Sequence, residues 1–407
     1  MTRKKILGVI EGFYGPPWTH EQRLSCIDEI DALGWNTYVW AAKLEPRHRD
    51  AWRDPFTRDE LRQFTELSMR STNVDFAIGL TPGDDASNEE VVHKLAPAID
   101  AGATVVVLCF DDLPVLHAAE RHRNIAHAVL QAFAIPVWIV PTHYAGTEGS
   151  GYLTSLLENL HPDVEVMWTG NTVVTDSISV DDARSRQNVT AGRLPLLWDN
   201  TPVNDAGMRG HLHIGPYSGR ERGLLEECSG ILWNPMEEYS ASLPTLHSAA
   251  AWVRNEDSDV AWSEYVRKHS LTLLAQATAY RSDVHWPGDN PTREWWESVA
   301  AMTDMNVDVS PWVQAAKEGA ALALVALKAL DASEPLSDIE KSKAVRKLMG
   351  WGQHRTRSAR TFGAGPRIRP IATQDSNGNF VLLPASVEES ESLVDVLIRQ
   401  ALERLSD

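Results

Sequence analysis

Short apolar runs punctuate the first 240 positions of the chain: ILGVI from Ile6, NTYVWAA from Asn36, DFAIGL from Asp75, TVVVLCF from Thr104, VWIVP from Val137, VEVMW from Val164, LPLLW from Leu194 and GILWN from Gly230. Each is too short for a helix, and most lack polar alternation, as expected of parallel strands covered on both faces. The stretches between them keep helical spacing. In HEQRLSCIDEIDALG, for example, Leu24, Ile27, Ile30 and Leu33 recur on one helical face and Gly34 marks the end. Strand alternating with helix eight times over this length predicts a (β/α)8 barrel. The rival, a doubly wound open sheet, usually has fewer strands and a site at a topological switch point.

From about Trp252 the pattern lengthens, and the stretches after Glu264 and Pro311 read as long helices. The chain is thus expected to divide into a catalytic barrel over 1–250 and a mainly helical C-terminal domain over 251–407, since single cores stop growing at roughly 250–300 residues. The segment GAGPRIRPIATQDSNGNFVLLP from Gly363 breaks the helical pattern. Its Asn377-Gly378 pair between two β-prone runs predicts a hairpin or an irregular loop. A last amphipathic helix follows, with Ser386 as its N-cap.

Active sites of such barrels form at the C-terminal ends of the strands. The residues just past the runs are Glu11 with Gly12, Lys43, Thr81, Asp111 with Asp112, Thr142 with Tyr144, Thr169, Asp199 with Asn200, and Asn234. Two adjacent acids, a lysine, two asparagines and several aromatics suit a pocket for a neutral, polyhydroxylated ring. Glycosidic cleavage needs a proton donor to the leaving oxygen and stabilisation of developing positive charge. Two neighbouring carboxylates in a partly buried site resist ionising together, which suits one of them to that donation. The same pair also fits a helix N-cap or half of a magnesium site. Lys43 reads equally as a solvated loop residue, Asn200 and Asp205 as an Asx-turn loop, and Trp198 and Trp233 as core residues or walls for an apolar sugar face.

Composition narrows the classes. With 43% hydrophobic and 23% charged residues the chain can bury a core, and its net charge of -18 opposes binding to nucleic acid or anionic membrane. Cys26, Cys109 and Cys228 are too far apart for a CxxC metal site and give no disulfide framework. No run approaches the roughly 20 apolar residues of a membrane span. The N-terminal MTRKKILGVIEG lacks the features of a secretory leader, so a cytoplasmic setting is expected. HAAERH at His117 fits neither HExxH nor HxxEH, His211 and His213 read as ordinary loop or strand residues, and GAGP at Gly363 lacks the continuation of a phosphate loop. No metal or cofactor is expected.

The stretches GVIEGFYGPPWTHEQR, LGWNTYVWAAK with RHRDAWR, CFDD, VPTHYAG, EVMWTG, LLWDN with ND, GPYSGR and NPME follow one another from Gly8 to Glu237. Together they resemble glycoside hydrolase family 84, the O-GlcNAcases and bacterial β-N-acetylglucosaminidases. The resemblance implies a retaining exo-β-N-acetylglucosaminidase working by substrate-assisted catalysis: the sugar's acetamido oxygen attacks the anomeric carbon, Asp111 polarises the acetamido N–H, and Asp112 protonates the leaving oxygen and later activates water. It also implies that Gly12, Lys43, Asn200, Asp205 and Asn234 surround the sugar, that Tyr144 and Trp198 wall the acetamido pocket, and that Tyr14 lies toward the aglycone. Glycine at position 12 is expected to let the ring approach the backbone.

This chain departs from the family pattern in having Val140 and His143 where the animal enzymes have Cys and Glu, and Leu44-Glu45 after Lys43 where Asp-Asp is usual. The implied partner is a GlcNAc-bearing glycan or glycoprotein, with homodimerisation through the C-terminal helices. An endo-acting hyaluronidase, a non-catalytic glycan-binding protein and a metal phosphoesterase stand as alternatives.

Overall fold

The computed structural model describes residues 4–112, 118–278, 291–303, 308–333, 336–358, 372–375, 378–382 and 393–406. His117, the GAGP stretch, Asn377 and Ser386 lie outside them. Eight strands form where the apolar runs lie: β1 (Ile6–Glu11), β2 (Thr37–Trp40), β3 (Asp75–Leu80), β4 (Val105–Cys109), β5 (Val137–Val140), β6 (Glu165–Trp168), β7 (Leu196–Asp199) and β8 (Gly230–Trp233). They pair in parallel in sequence order, and β8 closes on β1 through Ile6 opposite Gly230. The expected barrel is the barrel found.

Six helices alternate with the first seven strands: α1 (His20–Ala32), α2 (Arg58–Arg70), α3 (Asn88–Asp100), α4 (Ala119–Phe133), α5 (Gly151–Leu157) and α6 (Val180–Val189). Thr19, Thr57, Ser87 and Ser179 open α1, α2, α3 and α6 with reciprocal capping boxes. Such a cap satisfies otherwise orphaned N–H groups and is worth about 1 kcal/mol. The alternation fails once. Between β7 and β8 there are two 3₁₀ turns, Ala206–Met208 and Leu224–Glu227, in place of an α-helix. The glycines and prolines of TPVNDAGMRGHLHIGPYSG disfavour a helix there.

The barrel closes with α7 (Tyr239–Val253), so the expected boundary after residue 250 falls inside a helix. Beyond it come α8 (Ser258–Lys268), α9 (Thr272–Ala277), α10 (Arg293–Ala300), α11 (Ser310–Leu330), α12 (Asp338–Ser358) and α13 (Leu393–Ser406). The stretch from Glu264, read as one helix, breaks at Ser270, whose φ is 59°. Trp312 on α11 donates its indole N–H to Glu238 at 2.8 Å, tying the added helices to the mouth of α7. Between α12 and α13 an antiparallel hairpin forms, β9 (Ala372–Gln374) with β10 (Phe380–Leu382), turning at Gly378 (φ 81°). Among the described residues, no helix is long and apolar enough to cross a membrane.

The core has two concentric parts. Ile10, Val39, Ala41, Ala77, Val107, Met167, Leu196 and Leu232 fill the barrel interior, while the alternate strand residues pack outward against the helices. This parity fixes what each strand can present at its open end.

Candidate active site

The barrel interior decides which strand-end residues meet. Ile10, Ala41, Cys109, Met167, Trp198 and Leu232 all point inward. Two positions further along the same strands stand Gly12, Lys43, Asp111, Thr169, Asn200 and Asn234, and all six line one cavity of about 230 Å³. Tyr14, Asp112, Tyr144, Trp198 and Asp205 line it too, so the residues that the family resemblance implied for the site lie around one cavity.

Residues of the opposite parity turn away. Glu11 and Asp199 end their strands opposite Trp40 and Trp233. Glu11 is buried against Arg23, Tyr38 and the Trp18 amide, and Asp199 against Arg220 and Tyr217. Trp233 stacks on Trp35 at 4.2 Å, outside the barrel, and so is a core residue and not a pocket wall. Thr81 shares the inward parity of Ala77 yet stays out of the cavity, its hydroxyl bonded to His48 at 3.3 Å.

The two acids have separate partners. Asp111 is buried, and its Oδ2 accepts from the Lys43 Nζ at 2.5 Å. Burial weighs most heavily on Lys43 and opposes its charge, yet Asp111 foremost among the surrounding acidic groups holds the ammonium above the ordinary lysine range. The Asp111 Oδ1, also buried, accepts no hydrogen bond among the described residues. Asp112 lies nearer the opening, and its carboxylate accepts from the hydroxyls of Tyr14 at 2.6 Å and Tyr144 at 3.1 Å. Burial, reinforced by the two aspartates, raises both phenols above the usual tyrosine range and keeps them donors.

Arg49, which is not among the expected site residues, belongs to this group. It donates to the Tyr14 hydroxyl and stands 4.0 Å from the Asp112 Oδ2.

The floor is held as firmly. Asn200 Oδ1 accepts from the Trp198 indole at 3.0 Å and from Asn234 at 2.9 Å, while its Nδ2 donates to the Val173 carbonyl at 2.6 Å. Asn234 Oδ1 in turn accepts from the Gly12 N–H at 3.2 Å. Asp205 accepts from the Tyr14 N–H at 2.6 Å, and its burial raises its carboxyl above the usual range. Glycine is required at position 12 because a Cβ there would lie 2.3 Å from Trp198 Cζ2, so the close approach is to the indole. Val140 lines the pocket, whereas His143 is buried beneath it, 2.7 Å from Ser150 Oγ. Ala372 and Phe380, from the hairpin, complete the wall.

A family model described as beta-N-acetylglucosaminidase matches residues 7–282. The chain belongs to that family. Among β-N-acetylglucosaminidase relatives, the proteins named Protein O-GlcNAcase from Rattus norvegicus and Mus musculus are each 32% identical over 284 residues. Those matches cover 63% of this chain and 31% of theirs, so the chain spans about a third of the length of these curated relatives. A solved variant of the Thermobaculum terrenum O-GlcNAc hydrolase superposes with a TM-score of 0.75 at 22% identity, covering 97% of this chain and 94% of that one. At that identity the likeness speaks for a shared fold. The β-N-acetylglucosaminidase match ends before the hairpin, although two hairpin residues line the pocket. Among the described residues, no three His, Cys, Asp or Glu side chains group as a metal site, and the three cysteines are buried and unpaired.

Proposed function

We propose that this chain is a retaining exo-β-N-acetylglucosaminidase that removes terminal β-linked GlcNAc, including O-GlcNAc on proteins, by substrate-assisted hydrolysis. One observation carries the reading. Asp111 has one oxygen gripped by Lys43 and a second, buried oxygen that no described residue satisfies, in the wall of a sugar-sized cup. A buried acceptor without a donor costs about 1–3 kcal/mol, and the N–H of an acetamido group relieves that cost.

With that contact made, the acetamido oxygen attacks the anomeric carbon and an oxazoline forms as the bond to the aglycone breaks. Asp112, on the more open side between Tyr14 and Tyr144, gives its proton to the departing oxygen. It then takes a proton from the water that opens the oxazoline on the face the aglycone left, so the β configuration is retained. Asp111 accumulates no covalent bond. Its role is to align the acetamide and stabilise the charge that develops on it, as a preorganised group does without reorganising during the reaction. The cup, walled by Trp198, Tyr144 and Phe380 and open on one side, suits one terminal sugar better than the middle of a polymer. The net charge of -18 also disfavours hyaluronan as a substrate.

The experiment is turnover of a chromogenic aryl β-GlcNAc with a chelator present, the anomer of the first-formed sugar being read by proton NMR. Glycopeptide, chitobiose and hyaluronan are compared alongside it. Release of β-GlcNAc from the aryl glycoside and the glycopeptide is expected. Tight binding of an oxazoline-mimicking inhibitor with no turnover of any substrate would refute the enzymic reading.

A further inference from the structure

The hairpin β9–β10 lies some 230 residues along the chain from the β5 loop, yet it docks on that loop at the barrel mouth. The Val173 N–H donates to the Ala372 carbonyl at 2.7 Å, and Thr373 Oγ1 donates to the Asn171 carbonyl at 3.2 Å. Directly after these anchors Gln374 is only 5% exposed, with its whole amide engaged. Its Oε1 accepts from the backbone N–H groups of Tyr144 at 2.8 Å and Ala145 at 3.0 Å. Its Nε2 donates to the carbonyls of Thr142 at 2.7 Å and Gly378 at 3.2 Å. One side chain therefore satisfies three backbone groups of a buried loop that has left its strand, where unpaired groups are strongly disfavoured. That loop carries the tyrosine whose hydroxyl donates to Asp112. Phe380, on the second strand of the hairpin, meets the Tyr144 ring at 6.1 Å and 61°.

We propose that Gln374 is a positioning residue for the proton-donating step, fixing the backbone under Tyr144 so that its hydroxyl stays on Asp112. The inference rests on the reading of Asp112 as the proton donor. Its chain of contact has three links: the Gln374 amide to the Tyr144 backbone, the Tyr144 hydroxyl to the Asp112 carboxylate, and Asp112 to the leaving oxygen. A displacement of the tyrosine of about 1 Å is enough to degrade such an arrangement a hundredfold. A glutamine that merely held the fold together would slow every substrate alike. One that serves proton donation slows those whose leaving group needs the proton.

The test compares phenyl and 2,4-dinitrophenyl β-N-acetylglucosaminides, the first dependent on acid assistance and the second nearly independent of it. For Gln374→Met, which keeps the volume and loses the amide, kcat on the phenyl glycoside should fall about tenfold or more, and on the dinitrophenyl glycoside by less than about threefold. Tyr144→Phe should show the same selectivity, and the double variant should be little worse than the poorer single one. Equal losses on the two leaving groups, or no loss, overturn the proposal. Thermal melting checks that Gln374→Met is folded. If it is not, Gln374→Glu, which keeps the acceptor for both N–H groups and loses the donor, enters the same comparison under the same criteria. Wild-type chain that hydrolyses neither glycoside refutes the functional reading itself, and this inference with it, so the two failures are told apart.

Discussion

Asp112 follows Asp111 directly but takes a left-handed backbone conformation, φ 56°, and the two carboxylates meet different partners: Lys43 for the first, Tyr14 and Tyr144 for the second. Non-glycine residues seldom sit there, and Asp and Asn bear it best. Strain of this kind persists where the surroundings over-determine it, often at functional sites.

The first prediction uses that tolerance. Asp112→Asn keeps a residue suited to the left-handed region, so its melting temperature should stay close to wild type. Its turnover of a phenyl β-GlcNAc should drop by about 10²–10⁴, the usual share of general acid catalysis. Asp112→Val, β-branched in the same conformation, should also melt earlier. Full activity of Asp112→Asn on a glycoside with a poor leaving group would remove it from the mechanism.

Lys43 and Asp111 form a buried pair, and removing one partner leaves the other charge uncompensated. Lys43→Met should therefore destabilise the fold by about 3–5 kcal/mol in denaturant titration. It should also depress kcat/KM, because Asp111 loses the contact that orients it. Asp111→Asn swaps the acceptor on Oδ1 for a group that can be a donor, and should hurt N-acetylated substrates more than other sugars. A Lys43→Met variant as stable as wild type would mean that the pair is solvated.

The barrel and the convergence of its site were readable because both follow from periodicity. Strands buried on two faces leave uninterrupted apolar runs, and on six strands the residue two positions past an inward-facing one enters the mouth, as Lys43 does after Ala41 and Asp111 after Cys109, whereas Thr142 after Val140 is held back by the Phe110 carbonyl. The same parity turns Glu11, Asp199 and Trp233 away from the mouth. The missing helix after β7 was masked by a polar loop of the right length.

Gln374 gave no signal at all. Its hold on the β5 loop is made of single hydrogen bonds to backbone, which have no period and no compositional signature. Arg49 lay inside a quoted motif, but its proximity to Asp112 depends on how the β2 loop folds back over Tyr14.

Gly12 and Trp198 are a packing pair across the barrel mouth. A methyl at position 12 would overlap the indole, so Gly12→Ala should cost about 1–3 kcal/mol by overpacking and push Trp198 off the Asn200 oxygen. Adding Trp198→Phe, which shortens the ring, should restore much of the stability in thermal melts without restoring activity. Equal stability of Gly12→Ala and wild type would show that the indole has room to move.

Three buried histidines make the fold sensitive to acid. Burial pushes His48 and His122 down to about 3 and His143 to about 4, assisted by the charges of Lys43, Arg121 and Arg186 respectively. Each is tied to a hydroxyl, of Thr81, Tyr152 and Ser150. Above about pH 6.5 these histidines are neutral in both folded and unfolded chains and leave stability unchanged. Below it the unfolded chain takes up protons that the folded one refuses, so stability is lost as pH falls from about 6.5 toward 4, by up to roughly 1.4 kcal/mol per pH unit for each histidine. Asp205 and Glu238, raised by burial, act in the opposite direction, so the histidine contribution is read from a difference between variants. His122→Gln keeps a neutral partner for Tyr152 and removes the proton acceptor. Its melting temperature should fall less steeply than that of wild type between pH 6.5 and 5, and parallel slopes for the two would exclude His122 as a source of the acid sensitivity.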